Sequence, residues 1–251
     1  MRIKVNYFFI IAIAGILLFS CDNGTKTQKG VISGIITLEG EEDHSGVTVL
    51  LYKADIVSDN IKRTNELYPQ TGFTVKDKHI FDHRDYLPLK ERLTTSSGAF
   101  TFNDVPYGNY IVVYYKNNWG YNYLFNVELK DEQLEIKDGV LHLYPIIILQ
   151  SSIIGEYHLE NNKCYLANND VSFLPNSNLI IERGSKLLVN SGCSITVYGY
   201  INISGNEDEY VTITSSDGIY GEKRSVNQFS KFEIAQVSIC ESIGYMIFSH
   251  C

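Results

Sequence analysis

The sequence lacks every motif that would assign it to a common enzyme class. It has no GxSxG nucleophile elbow, no HExxH zinc motif, no phosphate-binding glycine loop and no dinucleotide-binding fingerprint. None of its 5 cysteines lies in a CxxC pair, and no closely spaced histidine accompanies them, which argues against a zinc site. We therefore predict no catalytic residues, no metal site and no cofactor.

Long hydrophobic runs are also absent. The apolar run from Tyr7 to Phe19 is shorter than the roughly 20 residues that a membrane-spanning helix needs, so residues 1–20 are predicted to be an export signal. The LFSC sequence that ends at Cys21 resembles the lipobox of bacterial lipoproteins. The resemblance implies that Cys21 is lipidated and anchors the chain to the cell envelope, at the outer membrane or cell surface, with residues 21–30 as a tether. The alternative is an ordinary secretory signal that is cleaved nearby.

The chain has no excess of positive charge. Its formal net charge is −8, and the predicted export signal removes Arg2 and Lys4. This balance argues against nucleic acid and anionic lipid headgroups as partners.

Cysteines are few, and four of the five lie in the second half of the chain. In an exported protein they can be buried free thiols or include one disulfide, and the sequence leaves both open. They are Cys164, Cys193, Cys240 and Cys251.

Amphipathic helical stretches are almost missing from residues 31–150, where only residues 58–67 favour a short helix. Short runs of alternating apolar and polar residues predict strands instead. Because a sheet with one apolar face must bury it against another, these runs predict an antiparallel β-sandwich. The runs are VISGIITL, VTVLLY, AFTF, YIVVYY, YLFNVEL and VLHLYPIIIL.

One segment of this half, TTSSGAFTFNDVPYGNYIVVYY, is patterned with turn residues. Gly98, Asn103-Asp104, Pro106 and Gly108 are expected to form turns that hold its two strands in register. Together with SGVTVLLY, the segment resembles the carboxypeptidase regulatory-like domain, also called transthyretin-like, over residues 31–149. The resemblance implies a small sandwich without catalytic residues that supports or presents another region.

An insertion, residues 53–93, interrupts the pattern of that family. It contains HIFDHRD, whose imidazoles and carboxylates are donors that transition metals use. The donors are His79, Asp82, His83 and Asp85. We predict a solvated polar loop here, with metal binding as the alternative.

The pattern of apolar and polar residues changes at about residue 151. The short strands LIIE, KLLV, SITV, YINIS and VTITS are separated by brief polar corners, without the two-residue Asn-Gly turns that antiparallel hairpins favour. This spacing predicts coils that stack on one another. Residues 157–216 resemble the entry turns of a right-handed parallel β-helix of the pectate lyase-like fold, at Leu179, Ile181, Gly199, Ile201 and Ile203. Residues 151–251 are thus predicted to form about four or five coils, of which residues 231–251 are one.

No polar cap follows Ile247, although a β-helix needs a cap over its last coil. We therefore expect either that this chain is part of a longer protein or that another chain covers its end.

Enzymes of the pectate lyase-like fold use acidic residues to hold calcium and a basic residue to remove a proton. The candidates in this sequence do not recur from coil to coil, and the acidic run of residues 207–209 is predicted to be a solvated corner. The candidates are Glu182, Arg183, Asp208, Glu209 and Lys223.

Aromatic residues crowd one predicted hairpin. Trp119, Tyr121 and Tyr123 could stack on sugar rings and form a ligand-binding site. The favoured alternative is a tyrosine-rich face of the sandwich that the insertion covers.

These observations predict an all-β protein, with an antiparallel β-sandwich followed by a short right-handed parallel β-helix. The predicted function is that of a non-enzymatic, lipid-anchored envelope protein, whose sandwich is a spacer for a region that binds a glycan or a protein. The alternatives are the N-terminal part of a polysaccharide lyase-like enzyme and a structural assembly subunit.

Overall fold

The structure, a computed structural model, describes residues 28–71, 75–137, 141–222, 231–235, 239–244 and 246–249. Within them the chain has the predicted all-β fold, a β-sandwich followed by a parallel β-helix. Cys21, Lys223 and Cys251 lie outside the described residues. No helix in the described part of the chain has the length and apolar character to cross a membrane.

The sandwich has two sheets whose apolar faces enclose one core. Ile32, Phe102, Val49 and Val112 are fully buried in that core, and alternate residues of the first strand point into it. The sheet orders are β4-β1-β7, with β8 also paired to β1, and β3-β2-β5-β6. The strands are β1 (Lys29–Leu38), β2 (Thr48–Lys53), β3 (Lys90–Leu93), β4 (Ala99–Pro106), β5 (Gly108–Lys116), β6 (Gly120–Leu129), β7 (Gln133–Glu135) and β8 (Leu141–Leu143). The pairs β1–β7 and β1–β8 are parallel, and the other pairs are antiparallel.

The expectation that AFTF and YIVVYY pair with each other is wrong. Strand β4 pairs with β1, whereas β5 pairs with β2 and β6, so the link between Pro106 and Gly108 carries the chain from one sheet to the other. Asn103-Asp104 is not a turn but a bulge in β4, where Asp104 has a φ of 53°. The Tyr110 hydroxyl fixes the link because it donates a hydrogen bond to the Pro106 carbonyl.

The β-helix consists of three parallel sheets in the described residues. Four complete coils each give one strand to each sheet, and β21 begins a fifth coil. The orders are β10-β13-β16-β19, β11-β14-β17-β20 and β9-β12-β15-β18-β21. The strands are β9 (Ile147–Ile148), β10 (Ser152–Ile153), β11 (Glu156–Leu159), β12 (Cys164–Ala167), β13 (Val171–Phe173), β14 (Asn178–Ile181), β15 (Lys186–Val189), β16 (Ser194–Val197), β17 (Tyr200–Ile203), β18 (Val211–Ser215), β19 (Lys231–Ile234), β20 (Ile239–Ile243) and β21 (Met246–Ser249).

Close backbone contacts at the corners determine where the coils turn. A Cβ added at Gly199 would lie 2.3 Å from the Ser177 carbonyl oxygen of the coil below, so only glycine fits. The predicted strand VLHLYPIIIL is divided into β8 and β9 because Pro145 lacks the N–H that a continuous ladder needs. Strand β9 already pairs with β12 of the β-helix.

The insertion is more ordered than the sequence predicts. It contains helix α1 (Asp59–Leu67), which matches the short helix expected there, a one-turn helix α2 (Asp77–Ile80), and strand β3, which pairs with β2. Two turns of 3-10 helix, Pro69–Thr71 and His83–Asp85, complete it.

Candidate functional site

The sandwich, the insertion and the β-helix meet in a shared hydrophobic cluster. The outer face of the β2-β5-β6 sheet and the outer face of the β12-β15-β18 sheet both contribute to it. Its buried members are Leu50, Tyr52, Phe81, Ile111, Val113, Tyr115, Tyr121, Cys164, Leu188 and Ile219. We call this region the junction.

Phe81 brings the insertion into the junction. Its ring is 5% exposed and lies 5.2 Å from the ring of Tyr52 and 5.5 Å from the ring of Tyr123, both in edge-to-face geometry. Tyr86 stacks on the other side of Phe81 at 5.5 Å. Aromatic pairs at these distances stabilise beyond the area that they bury.

Arg84 connects the insertion to the β-helix. Its buried guanidinium donates hydrogen bonds to Asp82 at 2.7 and 2.9 Å, to Thr214 Oγ1 at 2.6 Å, and to the carbonyl oxygens of Ser215 and Asp217 at 2.8 and 2.9 Å. Burial disfavours the charged guanidinium, but the adjacent Asp82 carboxylate outweighs it and raises the pKa of Arg84. The side chain therefore remains charged and binds the end of β18 and the loop that follows it.

His83 lies beside Arg84 and is 5% exposed. Its Nε2 lies 2.9 Å from the Ile219 carbonyl oxygen, and its Nδ1 lies 2.9 Å from the Tyr123 hydroxyl. Since the carbonyl can only accept, Nε2 donates and Nδ1 accepts from Tyr123 in the neutral ring. Burial raises the pKa of the Tyr123 phenol, which keeps that proton on the tyrosine.

The prediction of a solvated loop is therefore wrong for residues 81–84, which are packed into the junction. Both nitrogens of His83 are used in hydrogen bonds, and His79 Nδ1 accepts a hydrogen bond from the Lys76 backbone. In the part of the chain that the structure describes, no group of three or more His, Cys, Asp or Glu side chains could hold a metal ion.

The predicted aromatic site is divided between two cores. Trp119 packs against the sandwich core, whereas Tyr121 is 3% exposed in the junction and Tyr123 is half-buried there. The insertion covers this tyrosine-rich face, as the favoured interpretation expected. The three rings do not form one exposed surface on which a sugar could stack.

The acidic run of residues 207–209 contacts the insertion. Lys76 pairs with Glu207 at 2.6 Å, Lys78 pairs with Asp208 at 2.5 Å, and Tyr210 donates a hydrogen bond to the Lys78 carbonyl at 2.5 Å. These pairs join the predicted solvated corner to the insertion. Glu209 instead pairs with Arg183 at 3.0 Å.

The described cysteine thiols are free. Cys164 is buried in the junction, where burial raises its pKa, and Cys193 is half-buried. The side chain of Cys240 lies outside the described residues.

One open cavity at the junction combines aromatic and acidic groups. It has a volume of about 320 Å³, and its walls include Tyr52, Tyr86, Tyr115, Glu91 and Glu222. We call it the tyrosine cleft. Tyr86 is 40% exposed, and both carboxylates are exposed to solvent, so these groups are accessible to a ligand.

The tyrosine cleft escapes detection in the sequence because its walls come from distant segments. Tyr52 lies in β2, Tyr86 and Glu91 belong to the insertion, and Glu222 follows β18. The insertion contains several apolar residues, and two of them, Val57 and Phe81, are buried. Apolar residues in so long a loop are the sequence signal that this segment docks on another surface.

No family model and no curated protein matches this chain. A cohesin–X-dockerin complex from Acetivibrio cellulolyticus includes a chain that is 18% identical, with a TM-score of 0.28 and coverage of 46% of this chain and 58% of that chain. A second structure of that complex gives 19% identity, a TM-score of 0.28 and the same coverage. A candidate carbohydrate-binding protein from Pseudomonas aeruginosa is 16% identical, with a TM-score of 0.23 over 48% of this chain and 92% of that chain. This chain thus spans little more than half of the cohesin complex chains, and likeness at these TM-scores supports no argument about function.

Proposed function

We propose that this protein is a non-enzymatic envelope protein that binds a glycan in the tyrosine cleft. The observation that carries the proposal is the accessible Tyr86 ring beside two exposed carboxylates, Glu91 and Glu222, in one cavity. In this proposal the sandwich forms one wall of the binding site and is not a remote spacer.

The chemistry of the cleft suits a sugar. The apolar C–H face of a pyranose packs on an aromatic ring, and its hydroxyl groups donate hydrogen bonds to carboxylate oxygens. A volume of about 320 Å³ accommodates one or two sugar rings, and it lies within the range of small-ligand sites. No ion pair of Glu91 is present among the described residues, which leaves its oxygens available to hydroxyl groups.

Glycan binding is tested with an array of envelope and host polysaccharides and with calorimetry on the glycans that bind. Tyr86→Ala and Glu91→Ala should each weaken binding about tenfold or more, because each removes a side chain that lines the cleft and contacts the sugar. Tyr200→Ala is the matched control, since Tyr200 is 41% exposed on the outer face of the β-helix and should leave affinity unchanged.

Two results would count against the cleft. An equal loss of glycan affinity in Tyr86→Ala and Tyr200→Ala would mean that the glycan binds elsewhere. A loss of affinity in Trp119→Ala alone would place the glycan at the hairpin of β5 and β6. Absence of glycan binding together with concentration-dependent association in sedimentation would favour a structural assembly subunit.

The anchor in this proposal is a lipidated Cys21. Strand β1 begins at Lys29, so the tether is short and the sandwich would lie close to the membrane. Cys21→Ser should abolish incorporation of labelled fatty acid and release the protein from the membrane fraction, since two or more acyl chains are needed for stable anchoring. Retention of the label and of membrane association would refute the lipid anchor.

A further inference from the structure

A buried lysine lies in a second cavity of the junction. Lys186 begins β15, and its side chain points outward from the β-helix, between Cys164 and Thr212 of the neighbouring strands. The sandwich covers that face, so Lys186 is only 7% exposed. A lysine on the surface of an isolated β-helix would extend into water, and here it cannot.

The ammonium group of Lys186 has little compensation for its burial. Its Nζ donates to Asn122 Oδ1 at 3.2 Å and lies 5.6 Å from the centre of the Tyr121 ring. Asn122 Oδ1 also accepts from the Tyr123 backbone at 2.9 Å, so this acceptor is shared. No carboxylate among the described residues lies within ion-pair distance of Lys186, and burial lowers its pKa.

The cavity beside Lys186 has a volume of about 150 Å³. We call it the lysine pocket, and its walls include Lys186, Asn122, Asn162, Tyr210 and Thr212. None of its wall residues is shared with the tyrosine cleft. The Tyr210 hydroxyl already donates to the Lys78 carbonyl, whereas the Asn162 amide and the Thr212 hydroxyl can donate hydrogen bonds to a ligand beside the ammonium group.

Each of the other charged wall residues of the lysine pocket, Lys78, Asp208 and Glu209, has an ionic partner. Lys78 pairs with Asp208 at 2.5 Å, and Glu209 pairs with Arg183 at 3.0 Å. Among the residues that the structure describes, Lys186 is therefore the cation of this pocket without an ionic partner, and its three donors have one acceptor there.

We propose that the lysine pocket binds a small oxyanion, a carboxylate or a phosphate group, whose counter-charge is Lys186. The bound oxyanion supplies the negative charge that the protein does not provide. Its oxygens accept hydrogen bonds from the remaining N–H groups of the ammonium. The Thr212 hydroxyl, on the neighbouring strand β18, can donate a further hydrogen bond to it. This site is independent of the proposed glycan cleft.

The test is a titration of the full chain with sodium phosphate and, separately, with sodium acetate, followed by ¹H–¹⁵N NMR. Saturable shifts of the Asn122 side-chain amide and the Thr212 backbone amide are expected with at least one of the two anions, and the anion that binds more tightly identifies the ligand class. Lys186→Met should weaken this binding about tenfold or more. Lys62→Met, at an exposed lysine of α1 paired with Asp55, is the control and should not change it.

A measurement on the wild-type protein keeps the proposal testable if Lys186→Met does not fold. Phosphate or acetate at saturation should slow reductive methylation of Lys186, read by peptide mass spectrometry, and leave methylation of Lys62 unchanged. Absence of saturable shifts across the millimolar range, or binding that Lys186→Met leaves intact, would overturn the proposal. Equal protection of both lysines would also overturn it.

Discussion

Replacement of Arg84 by alanine is expected to lower the free energy of unfolding by about 3–5 kcal/mol, because it leaves the Asp82 carboxylate buried without its cation. The substitution also leaves Thr214 Oγ1 and the carbonyl oxygens of Ser215 and Asp217 without the donor that Arg84 provides. Thr214 and Ser215 are buried, and a hydrogen bond to a charged group contributes about 1.5–3 kcal/mol. Urea denaturation followed by far-UV circular dichroism measures the loss.

The sequence contains 1 tryptophan, Trp119, which packs against the sandwich core and reports on that half of the molecule. In the wild type its fluorescence and the circular dichroism should change together, since the junction couples the two halves. In Arg84→Ala we expect the two transitions to separate. Limited proteolysis should also cut within residues 53–93 of the variant, because the insertion is released from the junction.

Arg63→Ala is the matched control for this experiment. Arg63 is exposed on α1, so its loss should change the free energy of unfolding by less than about 0.5 kcal/mol. A result within that range for Arg84→Ala, with coincident transitions, would mean that the insertion does not join the two halves.

The sequence predicts the strands well because their signal is local. Alternation of apolar and polar residues identified LIIE, KLLV, SITV and VTITS, and the structure contains strands at each of these positions. The corners of the β-helix are also local, since Gly199 is required by contact with one neighbouring coil. Periodicity therefore suffices for a fold in which each coil contacts mainly the next.

Pairing of the sandwich strands was less predictable because it is not local. The turn residues between β4 and β5 suggested a hairpin, but similar residues can carry the chain between sheets. The choice depends on β1, which pairs with β4, and on β2, which pairs with β5. Neither partner is adjacent to this segment in the sequence.

The candidate site was predictable only in part, and the reason is charge burial. A polar segment such as HIFDHRD is ordinarily solvated, and the sequence does not show that Thr214, Ser215 and Asp217 offer acceptors to Arg84. The same holds for Lys186, whose position at the start of a strand gives no sign that the sandwich covers it. Both proposed binding sites arise because the two halves share one hydrophobic cluster.

The second prediction with a large expected effect concerns two adjacent isoleucines of the β-helix. Ile181 is fully buried between Leu159 and Ile203 in the interior ladder, whereas Ile180 points outward and is half-buried. Ile181→Ala should lower the free energy of unfolding by about 2–5 kcal/mol, because the removed methyl and methylene groups leave a cavity that stacked coils cannot fill. Ile180→Ala should cost only about 0.5–1 kcal/mol, since most of its surface change is at the edge of solvent.

Together, the substitutions Ile181→Ala and Ile180→Ala test the register of β14 as well as its packing. A shift of one residue would exchange the inward and outward faces of β14, and the costs of the two substitutions would then be reversed. Chemical denaturation of both variants, followed by circular dichroism, distinguishes these cases. Equal costs would indicate that β14 is buried on both faces, so that a further surface would have to cover the β11-β14-β17 sheet. Because the two variants remove the same groups, any difference between them reports on position alone.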